Sequence, residues 1–301
     1  MLNFESEQKV VEIGDVKIGG QPGENPVVAI GSVFYSNHKA LKDEKTGEFD
    51  EEIVEEEINN FIEIVDENNL QAIIDVVGST SEALIKECQY VADLVDVPFL
   101  VDGLNDEIRV PAMEGIKEIG LLDRAILNSI DENTNKERLE KLKNIGIKNS
   151  VLLTFGTRYI YPDKKLSFLQ DDLIPKAQKA GVENYIVDTA VLDLASISFN
   201  FAATRLVKNE LGLPTGYAPS NAIYGWDFIK QYGETARYGA ISSMMVNALD
   251  AGSDFILFGP IKYAKWIVPP LALICGTNSY YRKRVLRENV SDLTPLNKVF
   301  K

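Results

Sequence analysis

The residues best placed for chemistry are acids and amides that close short apolar runs. Val101 leads into Asp102, Leu127 into Asn128, and Val187 into Asp188. The run Pro214–Gly216 is followed by Ser220 and Asn221. A carboxylate accepts two parallel N–H bonds from an amidine-like edge, and a carboxamide both donates and accepts. Such a set can grip a flat, polar heterocycle. No histidine, thiol or lysine closes one of these runs. Each residue also has a structural reading. A strand-end Asp often caps a helix or anchors a loop. Asn128-Ser129 could cap the turn before Thr134. Asp75 sits inside its run and reads equally well as a buried structural acid.

Composition narrows the chemistry. The chain has 301 residues, 31 basic and 45 acidic, for a net charge of −14. One histidine, His38, cannot build a His-rich metal site. Two cysteines, Cys88 and Cys275, are too few for an iron–sulfur cluster or a disulfide framework. They read as small buried hydrophobes in a reducing cytoplasm. The acidic balance argues against nucleic acid as a partner, which needs a cationic face. The N-terminal stretch carries no signal-peptide pattern. Membrane insertion is not expected, because the apolar stretch Trp266–Cys275 is short and holds Pro269 and Pro270.

The elements that must position the acids and amides are legible. Val10–Ile13 and Val16–Gly19 flank Gly14-Asp15, a Gly-first hairpin turn. Eight apolar runs follow: Val27–Phe34, Ala72–Val77, Pro98–Val101, Arg124–Leu127, Ser150–Phe155, Asn184–Val187, Pro214–Gly216 and Asp254–Phe258. They are continuous rather than alternating, as in parallel strands covered on both faces. Helical patterns lie between them. Ile53, Val54, Ile58, Phe61, Ile62 and Val65 form one stripe, with Asp50 as its N-cap. Ser79 with Glu82, and Thr134 with Glu137, have capping-box spacing. Pro111 suits a first helical turn. Eight strand–helix units in this length predict an α/β (β/α)8 TIM barrel with the N-terminal hairpin closing the bottom. A doubly wound sheet would want a glycine-rich phosphate loop after the first strand, and Gly31–Asn37 holds none. No linker interrupts the pattern, so residues 1–301 read as a single domain with residues 1–25 as its hairpin.

Pterins present edges of the kind that acids and amides read, and the chain resembles a family that uses them. Ile18-Gly19-Gly20-Gln21-Pro22-Gly23-Glu24, Ile30–Tyr35, Asp123–Ser129, Asp188–Val191, Phe255–Ile261 and Pro295–Lys298 carry the likeness. It is to the H-type subunit of the tetrahydromethanopterin S-methyltransferase complex, and to bacterial relatives that methylate tetrahydrofolate from corrinoid proteins. Thr154–Ile160 and Ser220 depart from the archaeal protein, which favours the bacterial, folate-using branch. The resemblance implies a pterin-binding methyltransferase barrel. Asp188 matches the acid that pairs with the ring N–H and 2-amino group. Asn128 matches the amide on the pyrimidine edge, and Asp102 an acid that completes the ring's contacts. Asn221, after Ser220, matches the asparagine near N5.

The implied reaction moves a methyl group between a corrinoid's cobalt and N5 of tetrahydrofolate, or of tetrahydromethanopterin. Asn221 and Asp102 would serve the charge and proton at N5. No metal is required. The chain lacks D-x-H-x-x-G, so cobalamin must arrive on a corrinoid-binding protein and the barrel mouth should be open. His38 follows the first strand and is a possible rim residue. A homodimer is expected by resemblance, with Tyr161, Phe168, Tyr280 and Tyr281 as interface candidates. Lys262 and Lys265 read as solvated lysines. Two other readings compete. One is a metal-assisted lyase or hydrolase with Mg²⁺ on Asp75, Asp102 and Asp188. The other is a non-catalytic component that docks a corrinoid protein.

Overall fold

The computed structural model describes residues 3–299, and the side chains at positions 221 and 299 lie outside the described set. A two-stranded hairpin comes first, β1 (Val10–Ile13) and β2 (Val16–Gly19). Gly14 takes φ +55° at its turn, the region a Gly-first turn requires. β3 (Val28–Val33) opens the barrel, and a small hairpin of β4 (Leu41–Asp43) and β5 (Glu48–Phe49) follows it. Then strands and helices alternate. The order is α1 (Glu51–Glu67), β6 (Gln71–Gly78), α2 (Ser81–Leu94), β7 (Phe99–Gly103), α3 (Asp106–Glu118), β8 (Ala125–Ile130) and α4 (Lys136–Ile145). β9 (Asn149–Leu153), α5 (Pro162–Phe168), α6 (Ile174–Ala180), β10 (Asn184–Asp188), α7 (Ile197–Leu211) and β11 (Thr215–Tyr217) come next. The chain ends with α8 (Pro219–Tyr224), α9 (Gly233–Asp250), β12 (Phe255–Pro260), α10 (Ala264–Tyr281) and α11 (Leu296–Val299).

Eight strands close a barrel in the order β10-β11-β12-β3-β6-β7-β8-β9, every pair parallel. This is the (β/α)8 barrel that the eight apolar runs predict. Each run coincides with a strand to within a few residues. Inside the barrel lies a separate apolar layer: Val28, Ile30, Ile73, Leu100, Ile126, Val151, Ile186 and Phe255. Ile13, Val16 and Ile18 of the hairpin pack into the same layer from the N-terminal end. The hairpin is docked there by the Gln71 side chain, whose Oε1 accepts from Lys17 N at 2.8 Å.

Several local expectations are corrected. Thr80, not Ser79, caps α2 by accepting from Ala83 N at 3.1 Å, while the Ser79 hydroxyl donates to the Glu44 carbonyl. Asn135, not Thr134, caps α4, because the Thr134 hydroxyl already accepts from Asp131 N. Pro111 lies inside α3, which starts five residues earlier at Asp106. Pro269 and Pro270, by contrast, are accommodated inside α10. Pro270 leaves the Trp266 carbonyl without its usual donor, and the Ser242 hydroxyl supplies one at 2.7 Å. Phe168 is buried and stacked on Tyr159 at 3.8 Å, so it serves the core and not an interface. Tyr161, Tyr280 and Tyr281 are exposed. Among the described residues, no helix is long and apolar enough to cross a membrane.

The glycine-rich stretch after β2 is a structural junction. Gly23 has φ +84°, and a Cβ there would come within 2.6 Å of the α10 backbone at Asn278 and Ser279. Lys208 on α7 is wholly buried beneath this stretch. Its Nζ donates to the Gly20 carbonyl at 3.0 Å and to both carboxylate oxygens of Asp254 at 2.9 and 2.7 Å. Asp254 Oδ2 also accepts from Thr215 N at 2.9 Å. One ammonium thus ties the hairpin exit to α7 and to the starts of β11 and β12. Replacing Lys208 by Met leaves a buried carboxylate without its partner, which costs about 3–5 kcal/mol. Urea unfolding checks this, and a loss below about 1 kcal/mol contradicts it.

Candidate functional site

Strand side chains alternate between faces with a period of two. Counting up from the apolar layer therefore gives the next inward layer. Two residues beyond Ile30, Ile73, Leu100, Ile126, Val151, Ile186 and Phe255 stand Ser32, Asp75, Asp102, Asn128, Leu153, Asp188 and Leu257. All seven line one cavity of about 810 Å³ at the C-terminal end of the barrel. The expected residues Asp102, Asn128 and Asp188 are brought together there. Asp102 and Asn128 are direct register partners on β7 and β8. Asp188 pairs in register with Leu153 and Gly216.

Asp75 shares the cavity. Its Oδ2 accepts from the Ser32 hydroxyl at 2.6 Å, and its buried Oδ1 has no partner. Burial pushes its carboxyl up to about 6, against the pull of the Ser32 hydroxyl and of the nearby Asn128 amide. Asp102 is pushed well above the usual carboxylate range. Desolvation is the main cause, and the charges of Asp75 and Asp188 add to it while Arg109 opposes it. Burial also raises Asp188 to about 6, opposed by the Ala190 backbone N–H and by Lys165. Three carboxyls that face one cavity and are each raised by burial cannot all ionise near neutral pH. The site therefore offers a carboxylic acid donor beside carboxylate acceptors.

The loop that carries Asp188 is clamped from behind. Asp188 Oδ1 accepts from Ala190 N at 2.7 Å, and Ala190 sits at φ +51°, an unfavourable region for a residue with a Cβ. The buried Lys165 ammonium donates to the carbonyls of Thr189 and Ala190. Asn200 Nδ2 donates to the Thr189 carbonyl at 2.9 Å. Burial drops the Lys165 ammonium to about 8, so it is still largely charged at neutral pH.

Other site residues escaped sequence reasoning. Arg109 on α3 is buried beside Asn128 and Ser129. It donates to the Asn128 carbonyl at 3.2 Å, to Asp106 at 2.7 Å and to Asp131 at 2.9 Å. The i,i+3 spacing of Asp106 and Arg109 was a weak available signal. Lys262 is solvent-exposed, as expected, and it also lines the cavity with Tyr35, Tyr224 and Tyr263. His38 is not a rim residue. Its ring is buried, with Nε2 at 2.8 Å from Glu57 Oε2, and it does not line the cavity. Ser220 is fully buried against Leu257, whose carbonyl lies 3.5 Å from its hydroxyl, and it is not among the residues that line the cavity. Asn221 starts from the short helix after β11, and its side chain lies outside the described residues. Asp75, Asp102 and Asp188 do not converge as a metal site: among the described residues no three His, Cys, Asp or Glu side chains do.

Replacing Lys165 by Met removes a positive charge next to Asp188. The Asp188 carboxyl then titrates above about 6, as followed by carboxyl-carbon NMR. An unchanged titration contradicts the clamp's electrostatic role.

Comparison with known proteins gives the geometry its context. Residues 6–290 match the family of the tetrahydromethanopterin S-methyltransferase MtrH subunit. The H-type subunit of tetrahydromethanopterin S-methyltransferase from Methanothermobacter marburgensis is 33% identical over 308 residues, covering 97% of this chain and 98% of that protein. Its counterpart from Methanopyrus kandleri is 33% identical over 289 residues, covering 89% and 90%. Among solved structures, Xanthomonas albilineans dihydropteroate synthase in complex with 7,8-dihydropteroate superposes with a TM-score of 0.61 at 14% identity, over 89% of this chain and 96% of that one. At that identity the likeness shows the shared barrel fold. By the full-length match to its model and to these relatives, the chain belongs to the family of the tetrahydromethanopterin S-methyltransferase MtrH subunit.

Proposed function

We propose that the chain is a cytoplasmic methyltransferase. It moves a methyl group between the cobalt of a corrinoid carried by another protein and N5 of a tetrahydropterin, here tetrahydrofolate. The observation that supports this best is the layer of Asp102, Asn128 and Asp188 above a dry apolar floor. Family membership supports the reaction class. The donor set suits a pterin head. Asp188 as a carboxylate accepts the ring N–H and the 2-amino group in parallel, and Asn128 reads the mixed donor–acceptor edge. The buried, unpartnered Oδ1 of Asp75 is a further acceptor at the same level.

The corrinoid partner supplies the cobalt that gives or takes the methyl group. This chain's residues hold the ring and manage one proton. When the N5–methyl bond breaks, its electron pair stays on N5, which must take up a proton. Asp102, held protonated by desolvation and its carboxyl neighbours, is the proton reservoir. Asn221 follows the charge at N5. Positioning of the ring in line with the incoming partner supplies several kcal/mol. A second copy of the chain completes the expected assembly. Tetrahydrofolate is favoured by the departures at Thr154–Ile160 and Ser220. The names of the archaeal relatives favour a second reading, the same transfer with tetrahydromethanopterin.

Mixing the protein with a methylated corrinoid protein and tetrahydrofolate is expected to produce the cob(I)alamin absorption band. A band with tetrahydromethanopterin alone selects the second reading, and a band with neither overturns both. Replacing Asn128 by Ala should lower kcat/KM about 10- to 100-fold, the loss of about 1.5–3 kcal/mol for hydrogen bonds to a polarised ligand. The pH dependence has a definite sign. Asp188 loses its acceptor pair when protonated, so pterin affinity falls as pH drops through about 6. Affinity that rises toward pH 5 contradicts the role of Asp188.

A further inference from the structure

The geometry points to a second subsite in the same cavity, built on Lys262, Tyr35 and Tyr263, that takes an aryl group followed by an anion, the tail that a tetrahydropterin carries beyond its ring. This inference rests on the pterin reading above.

Barrel order fixes the direction of the bound ring. Asp102, Asn128 and Asp188 lie in the C-terminal halves of β7, β8 and β10, on one side of the closed ring of strands. Going around that ring, β12 is diametrically opposite β8, and β3 adjoins β12. Lys262 and Tyr263 follow β12, and Tyr35 follows β3. All three line the cavity. A pterin that gives its pyrimidine edge to the acids turns its other ring, and the substituent on it, toward this opposite wall. A cavity of about 810 Å³ is larger than a two-ring head requires. It falls within the range of about 300–1,000 Å³ typical of sites for larger ligands.

The chemistry of that wall differs from the rest of the cavity. Asp75, Asp102, Asp131 and Asp188 make the site acidic, and Arg109 is committed to Asp106 and Asp131. Lys262 makes no ion pair with a carboxylate among the described residues. Its Nζ stands 5.7 Å from the centre of the Tyr35 ring and 5.4 Å from that of Tyr263. Aromatic faces hold an ammonium in place without neutralising it. The buried hydroxyl of Tyr224 has no hydrogen-bond partner, so the wall has a spare donor as well as a spare charge. Flat tyrosine rings suit an aryl group, and the ammonium suits a carboxylate or phosphate beyond it.

Calorimetric titration of wild-type protein, Lys262→Gln and Lys262→Arg tests the subsite. The probes are tetrahydrofolate, tetrahydromethanopterin and 6-methyltetrahydropterin, which has no tail. The wild type is expected to bind at least one tailed compound at least tenfold more tightly than the tail-less one. Lys262→Gln should lose most of that preference with little change toward 6-methyltetrahydropterin, and Lys262→Arg should keep it. Loss confined to tetrahydrofolate identifies a glutamate tail, and loss confined to tetrahydromethanopterin identifies that cofactor's longer anionic tail. A preference untouched in Lys262→Gln, or an equal loss for tailed and tail-less compounds, overturns the subsite but leaves the pterin reading intact. A wild type that binds none of the three overturns both.

Discussion

Everything at the mouth of this barrel depends on carboxyl groups being held against a dry floor. The alternation of strand side chains puts one apolar residue from nearly every strand into an inner layer, and an acid, an amide or a hydroxyl into the layer above at five of the same strands. The hairpin residues Ile13, Val16 and Ile18 stop the lower end. Water cannot reach Asp75, Asp102 and Asp188 from below, so their charged forms are poorly solvated and their carboxyls rise. The glycine-rich stretch after β2 locks the hairpin to α7, β12 and α10 through Lys208 and Gly23.

The strands were legible because a parallel strand covered on both faces leaves a continuous apolar run. The acids and amides were legible because a barrel places function where those runs end. Asp102, Asn128 and Asp188 could therefore be located by counting. What escaped depends on contacts between segments distant in sequence. Arg109 reaches the site from a helix, and Lys262 from a short turn, and neither closes a strand. His38 looked like a rim residue because it follows the first strand, yet Glu57 draws its ring into the core. Ser220 follows a strand too, but the tight turn into α8 points it back at Leu257. Caps shifted by one residue because Ser79 and Thr134 spend their hydroxyls on loop backbone instead of on the helix.

The single histidine acquires a meaning in this setting. Its ring is buried and bonded to Glu57, so no imidazole lines the cavity among the described residues. The titratable acids that do line the cavity are carboxyls whose proton affinities burial has raised. The net charge of −14 makes the cavity's cations more informative than its acids. Arg109 is committed to structure, and the Asp188 loop is held by Lys165. Of the two cations that line the cavity among the described residues, Arg109 pairs with Asp106 and Asp131, whereas Lys262 at the opposite wall has no carboxylate partner. A polar ring on one side and an anionic tail on the other is the ligand such a charge distribution fits.

The most direct measurement is a crystal structure with a bound tetrahydropterin. The account predicts the ring N–H and 2-amino group within about 3 Å of the Asp188 carboxylate, with the side chain of Asn128 on the same edge. A pterin bound outside the barrel mouth, or one that turns its substituted ring toward Asp188, would contradict it.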